Sequence, residues 1–234
     1  MSQITTIAAK EFKDYFISPI AYIVISLFLI VTGWFFFSTF FIYGRADLRD
    51  FFSLLPIAFS FFIPAITMRL FAEEKNVGSY ETLLTMPVSF TDIALGKFFA
   101  ATVFVGAMLV PTLAYPVFIS FIGEVDPGPV AGGYAGALFL AAAYSAMGLF
   151  ASALTRNQII AFIIGCALCF TLTILDRMLF FMPPKIVAVI EYIGAGSHFT
   201  NFSKGILDTR DIIYFISLVC IFLFSTHIVM QEKN

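Results

Sequence analysis

Few residues in this chain have the type and spacing to do chemistry. Cys166 and Cys169 stand at CxxC spacing, but both lie inside an apolar run. A metal site needs further ligands, and neither His198 nor His227 is near them in sequence, so the pair reads as small packing residues. Gly96-Lys97 lacks the upstream Gly and the following Ser or Thr of a phosphate-cradling loop. The chain is therefore not expected to bind nucleotide itself. Six ionisable residues fall in "RLFAEEKNVGSYETLLTMPVSFTD", residues 69–92, between two long apolar stretches. Glu73, Glu74, Lys75 and Glu81 on a short stiff segment suit contact with a partner rather than catalysis.

That segment carries its own helix punctuation. Gly78 is placed to end an inward extension of the preceding helix, because a left-handed C-cap is cheap only for glycine. Ser79 can cap a new short helix with Glu81 in its first turn, where the dipole favours negative charge. Tyr80, Leu83 and Leu84 then share one apolar face, and Pro87 stops the helix by restricting Met86. Ser89 and Asp92 form a Ser-x-x-Asp capping box, with Val88 and Ile93 as its staple.

The elements that must hold this elbow are membrane spans. Of 234 residues, 60% are hydrophobic and only 12% charged, where soluble chains carry roughly 25% charged. A net charge of -2 gives no reason to expect a nucleic-acid partner. Apolar runs long enough to cross occupy about 19–43, 51–71, 93–122, 130–154, 159–175 and 212–230. Apart from His227, no ionisable residue lies well inside any of them, which argues against an ion-coupled carrier and an intramembrane hydrolase. Pro56, Pro64, Pro111 and Pro116 are candidate kink sites. Gly132, Gly136, Ala137, Ala141 and Ser145 form a small-residue stripe on which another helix can pack closely.

Residues 1–18 place Ile4, Ile7, Ala8, Phe12, Tyr15 and Phe16 on one arc, as in a helix lying in the interface, with Glu11 off-pattern at the edge. The segment 176–211 is expected to hold one or two short helices dipping into the membrane, broken at Gly194, Gly196 and Gly205. Asp208 and Asp211 are candidate caps for the last span. Six spans put both termini on one side. Lys and Arg divide almost evenly between the sides, with a slight preference for termini inside.

The run from Arg69 through Glu73, Glu74, Lys75, Gly78, Ser79, Glu81, Leu83, Leu84 and Pro87 to Ser89 resembles the hallmark of ABC-2 type transporter permeases. "AAKEFKDYFISPIAYI" and "SHFTNFSKGILDTRDIIYF" are similar to that family's N-terminal elbow and its approach to the sixth span. Within the family, the chain is most similar to the gliding-motility-associated permeases. The resemblance implies an all-α membrane domain over residues 1–234, with six transmembrane helices, an interfacial elbow and a cytoplasmic coupling helix in 72–92. It also implies separate ATP-binding subunits carrying ATP and Mg, and a second permease chain. Both termini would face the cytoplasm, in a bacterial inner membrane. Only "GRADLRD" joins the first two spans, so a sizeable extracytoplasmic domain would have to come from another protein. The implied function is ATP-driven transport, in the export direction, with no enzymatic activity in this chain. The alternative is a scaffold that anchors a cytoplasmic ATPase and moves nothing itself.

Overall fold

The computed structural model describes residues 3–43, 47–80, 88–178 and 192–232, and contains no strand among them. Helix α1 (Gln3–Ile17) turns at Ser18 into α2 (Pro19–Tyr43). Pro19 opens α2, a position where the missing N–H is not required by the helix. Helix α3 (Arg49–Thr67) is followed, after an interruption at Met68, by α4 (Arg69–Val77). Helix α5 (Phe90–Leu109) tightens into a 3-10 turn (Val110–Leu113) and continues as α6 (Ala114–Ser120). Helices α7 (Pro127–Leu154), α8 (Gln158–Met178), α9 (Ala195–Ser203) and α10 (Thr209–Glu232) complete the chain. Among the described residues, six runs are long and apolar enough to span a membrane, which marks an integral membrane protein.

The prolines act unequally. Pro56 and Pro64 lie within α3, whereas Pro111 falls in the 3-10 turn, where the third span changes its winding. Helix α7 begins earlier than its apolar run suggests. Asp126 accepts the N–H of Gly128 at 3.0 Å and Pro127 takes the first helical position, so "DPGP" starts the helix instead of preceding it.

Helices α3, α5 and α7 form the inside of the bundle, with Phe59, Phe104, Leu140 and Tyr144 fully buried. Much of the apolar surface of α2, α8 and α10 is exposed, as lipid-facing helices require. The small-residue stripe of α7 is used at close range. A Cβ on Gly136 would lie 2.5 Å from Phe202 Cβ, and one on Gly132 would lie 2.5 Å from the Phe202 carbonyl oxygen. The helix admitted there is the short α9, not another span. Gly194 precedes α9 and Gly205, at φ +79°, ends it, but Gly196 lies inside the helix and breaks nothing.

His227 near the end of α10 lies against Phe90 at the start of α5, with ring centroids 6.4 Å apart. Helix α1 packs along the same part of α5 through Ile7 and Gly96. The two ends of the chain therefore share one end of the bundle.

Candidate functional site

Helix α4 is the arm that leads out of α3, and its sequence explains both ends. Gly78, at φ 83°, supplies the left-handed C-cap expected of it. Ser79 and Tyr80 resume helical structure, and the Ser79 hydroxyl donates back to the Glu74 carbonyl at 3.4 Å. Glu81, Leu83, Leu84 and Pro87 lie outside the described residues. On the far side, Ser89 caps α5 by accepting the Asp92 N–H at 3.1 Å. Its hydroxyl also donates to Asp92 Oδ2 at 2.6 Å, a variant of the reciprocal box in which the side chains bond each other.

Lys97 is the residue that organises this end of the bundle. It sits two turns into α5 with its side chain 1% exposed. Nζ donates to Glu11 Oε1 on α1 at 2.8 Å and to Glu74 Oε1 on α4 at 2.7 Å. It also stands 5.3 Å from the centroid of the Phe71 ring. Burial of an ammonium is tolerable only with such partners. The expectation that no ionisable residue apart from His227 lies well inside a span left this lysine out of account: Lys97 is buried near the start of a span-length helix. Its signal was the off-pattern Glu11, whose place on the apolar arc of α1 is explained by a cation beneath it. Gly96 serves the same contact, because a Cβ there would lie 2.7 Å from Ile7 Cγ2 and hold α1 away.

Glu73 and Lys75 have separate tasks. Glu73 accepts from Arg69 Nε at 3.0 Å, one turn back on α4, and Arg69 Nη1 donates to Ser18 Oγ at the α1–α2 joint at 3.2 Å. Lys75 Nζ donates to the Ala153 carbonyl at 2.5 Å, near the C-terminus of α7, where a cation favours the helix dipole. It also lies 5.1 Å from the centroid of the Tyr80 ring. Burial, with Glu74 nearby, raises the Tyr80 phenol above its usual range.

Between α1 and α4 lies a crevice of about 290 Å³ bordered by Glu11, Asp14, Tyr15, Arg69, Glu73 and Glu74. Tyr15 closes its floor. Its hydroxyl donates to the Ile66 carbonyl at 3.2 Å and its ring stacks on Phe104. Burial first, and Glu11 second, push this phenol well above its usual range, so it remains a donor. The second oxygen of Glu74, Oε2, is buried without a hydrogen-bond partner among the described residues.

At the other end of the bundle, Asp208 caps α10 by accepting the Arg210 N–H at 2.9 Å. Asp211 does not share that task. Its carboxylate accepts from Asn201 at 3.0 Å and lies 2.6 Å from His198 Nδ1, which ties α9 to α10.

The chain matches no protein-family model and no curated protein.

Proposed function

We propose that this chain is the permease subunit of an ATP-driven transporter, and that the segment from α4 to Ser89 is the coupling site for a separate ATP-binding subunit. The reading rests on the resemblance of 69–89 to ABC-2 permeases. The observation that carries it furthest is the joining of α4 to α1 and α5 through Lys97. A partner shifts a membrane domain between states only if its contacts differ between them, and a stiff arm passes that difference on.

In this reading Glu73 and Glu81 present acidic contacts, Leu83 and Leu84 form an apolar knob, and Gly78 and Pro87 set the geometry. Glu74 fastens the arm to Lys97 from inside the bundle instead of meeting the partner. ATP and Mg belong to the partner, and the chain works with a second permease copy or a related chain. The elbow end faces the cytoplasm of a bacterial inner membrane, α9 dips into the opposite leaflet, and transport runs outward. Exposed ion pairs contribute about 0–1 kcal/mol each, so Leu83 and Leu84 dominate docking.

The test is copurification from native membrane in mild detergent, with the ATPase rate of the complex as a second readout. An ATP-binding subunit should accompany the wild type and be lost with Leu83→Asp. Retention of the subunit by Leu83→Asp, with undiminished stimulation of its ATPase, would remove the coupling assignment. Wild type that brings down no ATPase in several detergents would remove the transporter reading.

A further inference from the structure

The interruption between α3 and α4 is built by a side chain from another helix. Met68 lies between the two helical runs, although its own φ and ψ of -53° and -32° are helical and its N–H still reaches the Pro64 carbonyl at 2.9 Å. Three residues on, the backbone bonds outward. Ser152 Oγ on α7 accepts the N–H of Phe71 and the N–H of Ala72, each at 3.0 Å, and donates to the Met68 carbonyl at 2.7 Å. One fully buried hydroxyl thus serves three backbone groups, one at the break and two just after it. A side chain inserted into a helical ladder is a recognised cause of a bend, because it meets backbone groups that the bend would otherwise strand.

The rest of this face of α7 is shaped for the same joint. One turn before Ser152, a Cβ on Gly148 would lie 2.0 Å from Thr67 Oγ1, so α7 closes onto the last residue of α3. One residue after Ser152, the Ala153 carbonyl takes the Lys75 ammonium from the distal half of α4. The final turn of α7 therefore holds α4 at two heights, and Ser152 is the contact at the pivot.

We infer that Met68–Ala72 is a hinge between the span α3 and the arm α4, and that Ser152 is the positioning residue that sets its angle. The hinge stands on the geometry alone; its use in coupling rests on the function proposed above. With Ser152 in place, the backbone groups at the joint stay bonded although the helical run is interrupted at Met68. Without it, those groups recover bonds by winding into a continuous α3–α4 rod. The nine residues of α4, at about 1.5 Å each, give an arm of about 13 Å, so a change of about 20° moves its tip by about 4 Å.

The experiment is a pair of spin labels on the full-length chain in nanodiscs, at Val77→Cys and Arg156→Cys, with Cys166, Cys169 and Cys220 replaced by Ala. Val77 and Arg156 are exposed, the first at the arm tip and the second just beyond α7. Ser152→Ala should shift the mean interspin distance by several ångströms, and Ser152→Thr, which keeps the hydroxyl, should return it toward the wild-type value. Ser145→Ala is the control. Ser145 lies on the same helix, is equally buried and its hydroxyl has no partner among the described residues, so its loss should leave the distance unchanged. A folded Ser152→Ala with the wild-type distance overturns the hinge, as does an equal shift in Ser145→Ala. Where Ser152→Ala does not fold, Ser152→Gly is read against the same criteria. If the distance shifts while partner ATPase stimulation stays at the wild-type level, the hinge stands and the coupling role of α4 falls.

Discussion

Replacing Lys97 by Met puts the buried charge cluster to a quantitative test. Lys97 Nζ holds carboxylate oxygens at 2.8 and 2.7 Å with its side chain 1% exposed. Methionine keeps the apolar stem but leaves Glu11 and Glu74 without their common cation. Removing one member of a buried pair costs about 3–5 kcal/mol. The two carboxylates are 14% and 19% exposed, so water relieves part of that, and about 3 kcal/mol is the appropriate figure. In a chain of this size each kcal/mol moves the melting midpoint by roughly 2–4 °C. Lys97→Met should therefore melt on the order of 6–12 °C below wild type in detergent. A second result separates stranded charge from lost packing. Adding Glu11→Gln and Glu74→Gln to Lys97→Met removes the unpaired carboxylates, and a neutral set of similar shape replaces a buried ion pair at small net cost. The triple variant should recover at least half of the loss. A Lys97→Met protein that melts within about 2 °C of wild type would refute the reasoning, as would a triple variant that melts below the single one.

Two further substitutions test the neighbouring contacts by the same melting assay. Gly148→Ala places a Cβ 2.0 Å from Thr67 Oγ1 and should cost about 1–3 kcal/mol by overpacking. Adding Thr67→Ala removes the obstacle, so the double variant should melt closer to wild type than Gly148→Ala does, and additive losses would show that the two positions do not meet. Ser89→Ala removes the side-chain acceptor for the Asp92 N–H and should cost about 1 kcal/mol, a drop of roughly 2–4 °C. An unchanged midpoint would mean that water replaces this cap without loss.

The spans were legible because a membrane fixes their length: the first, Pro19–Tyr43, has the same bounds in sequence and structure. Local punctuation was legible too, since Gly78 and Ser89 act through their own backbone neighbourhoods. The small-residue stripe signalled a close approach but not its occupant, and Phe202 of α9 takes that place. Lys97 was misjudged because its partners are Glu11 and Glu74, the first brought to it only when α1 folds back along α5. Ser152 gave no signal at all. A serine near a helix end is ordinary in sequence, and its three backbone partners belong to another helix. Asp211 looked like a cap because it follows Asp208 by three residues, yet His198 and Asn201 compete for it successfully.

Apolar contacts hold the bundle together, and α4 joins them through Leu70 and Phe71 but is also fastened by several polar ones, which bears on how it can move. Side chains in an apolar interface can slide through small displacements with little change in energy, because the hydrophobic effect is non-directional. Hydrogen bonds weaken steeply as distance and angle change, so each polar attachment resists slipping. Arg69 reaches Ser18 at the joint of α1 and α2, Glu74 reaches Lys97 on α5, and Lys75 and the Phe71 and Ala72 amides reach the last turn of α7. A load on α4 is therefore delivered to helices that lead directly into the bundle, including the inner α5 and α7. Every one of those attachments lies within the first seven residues of α4, before Val77 and Gly78. Force applied beyond Gly78 and carried back along α4 meets all of them, and the inserted hydroxyl of Ser152 makes Met68–Ala72 the place where the arm can turn without stranding a backbone group.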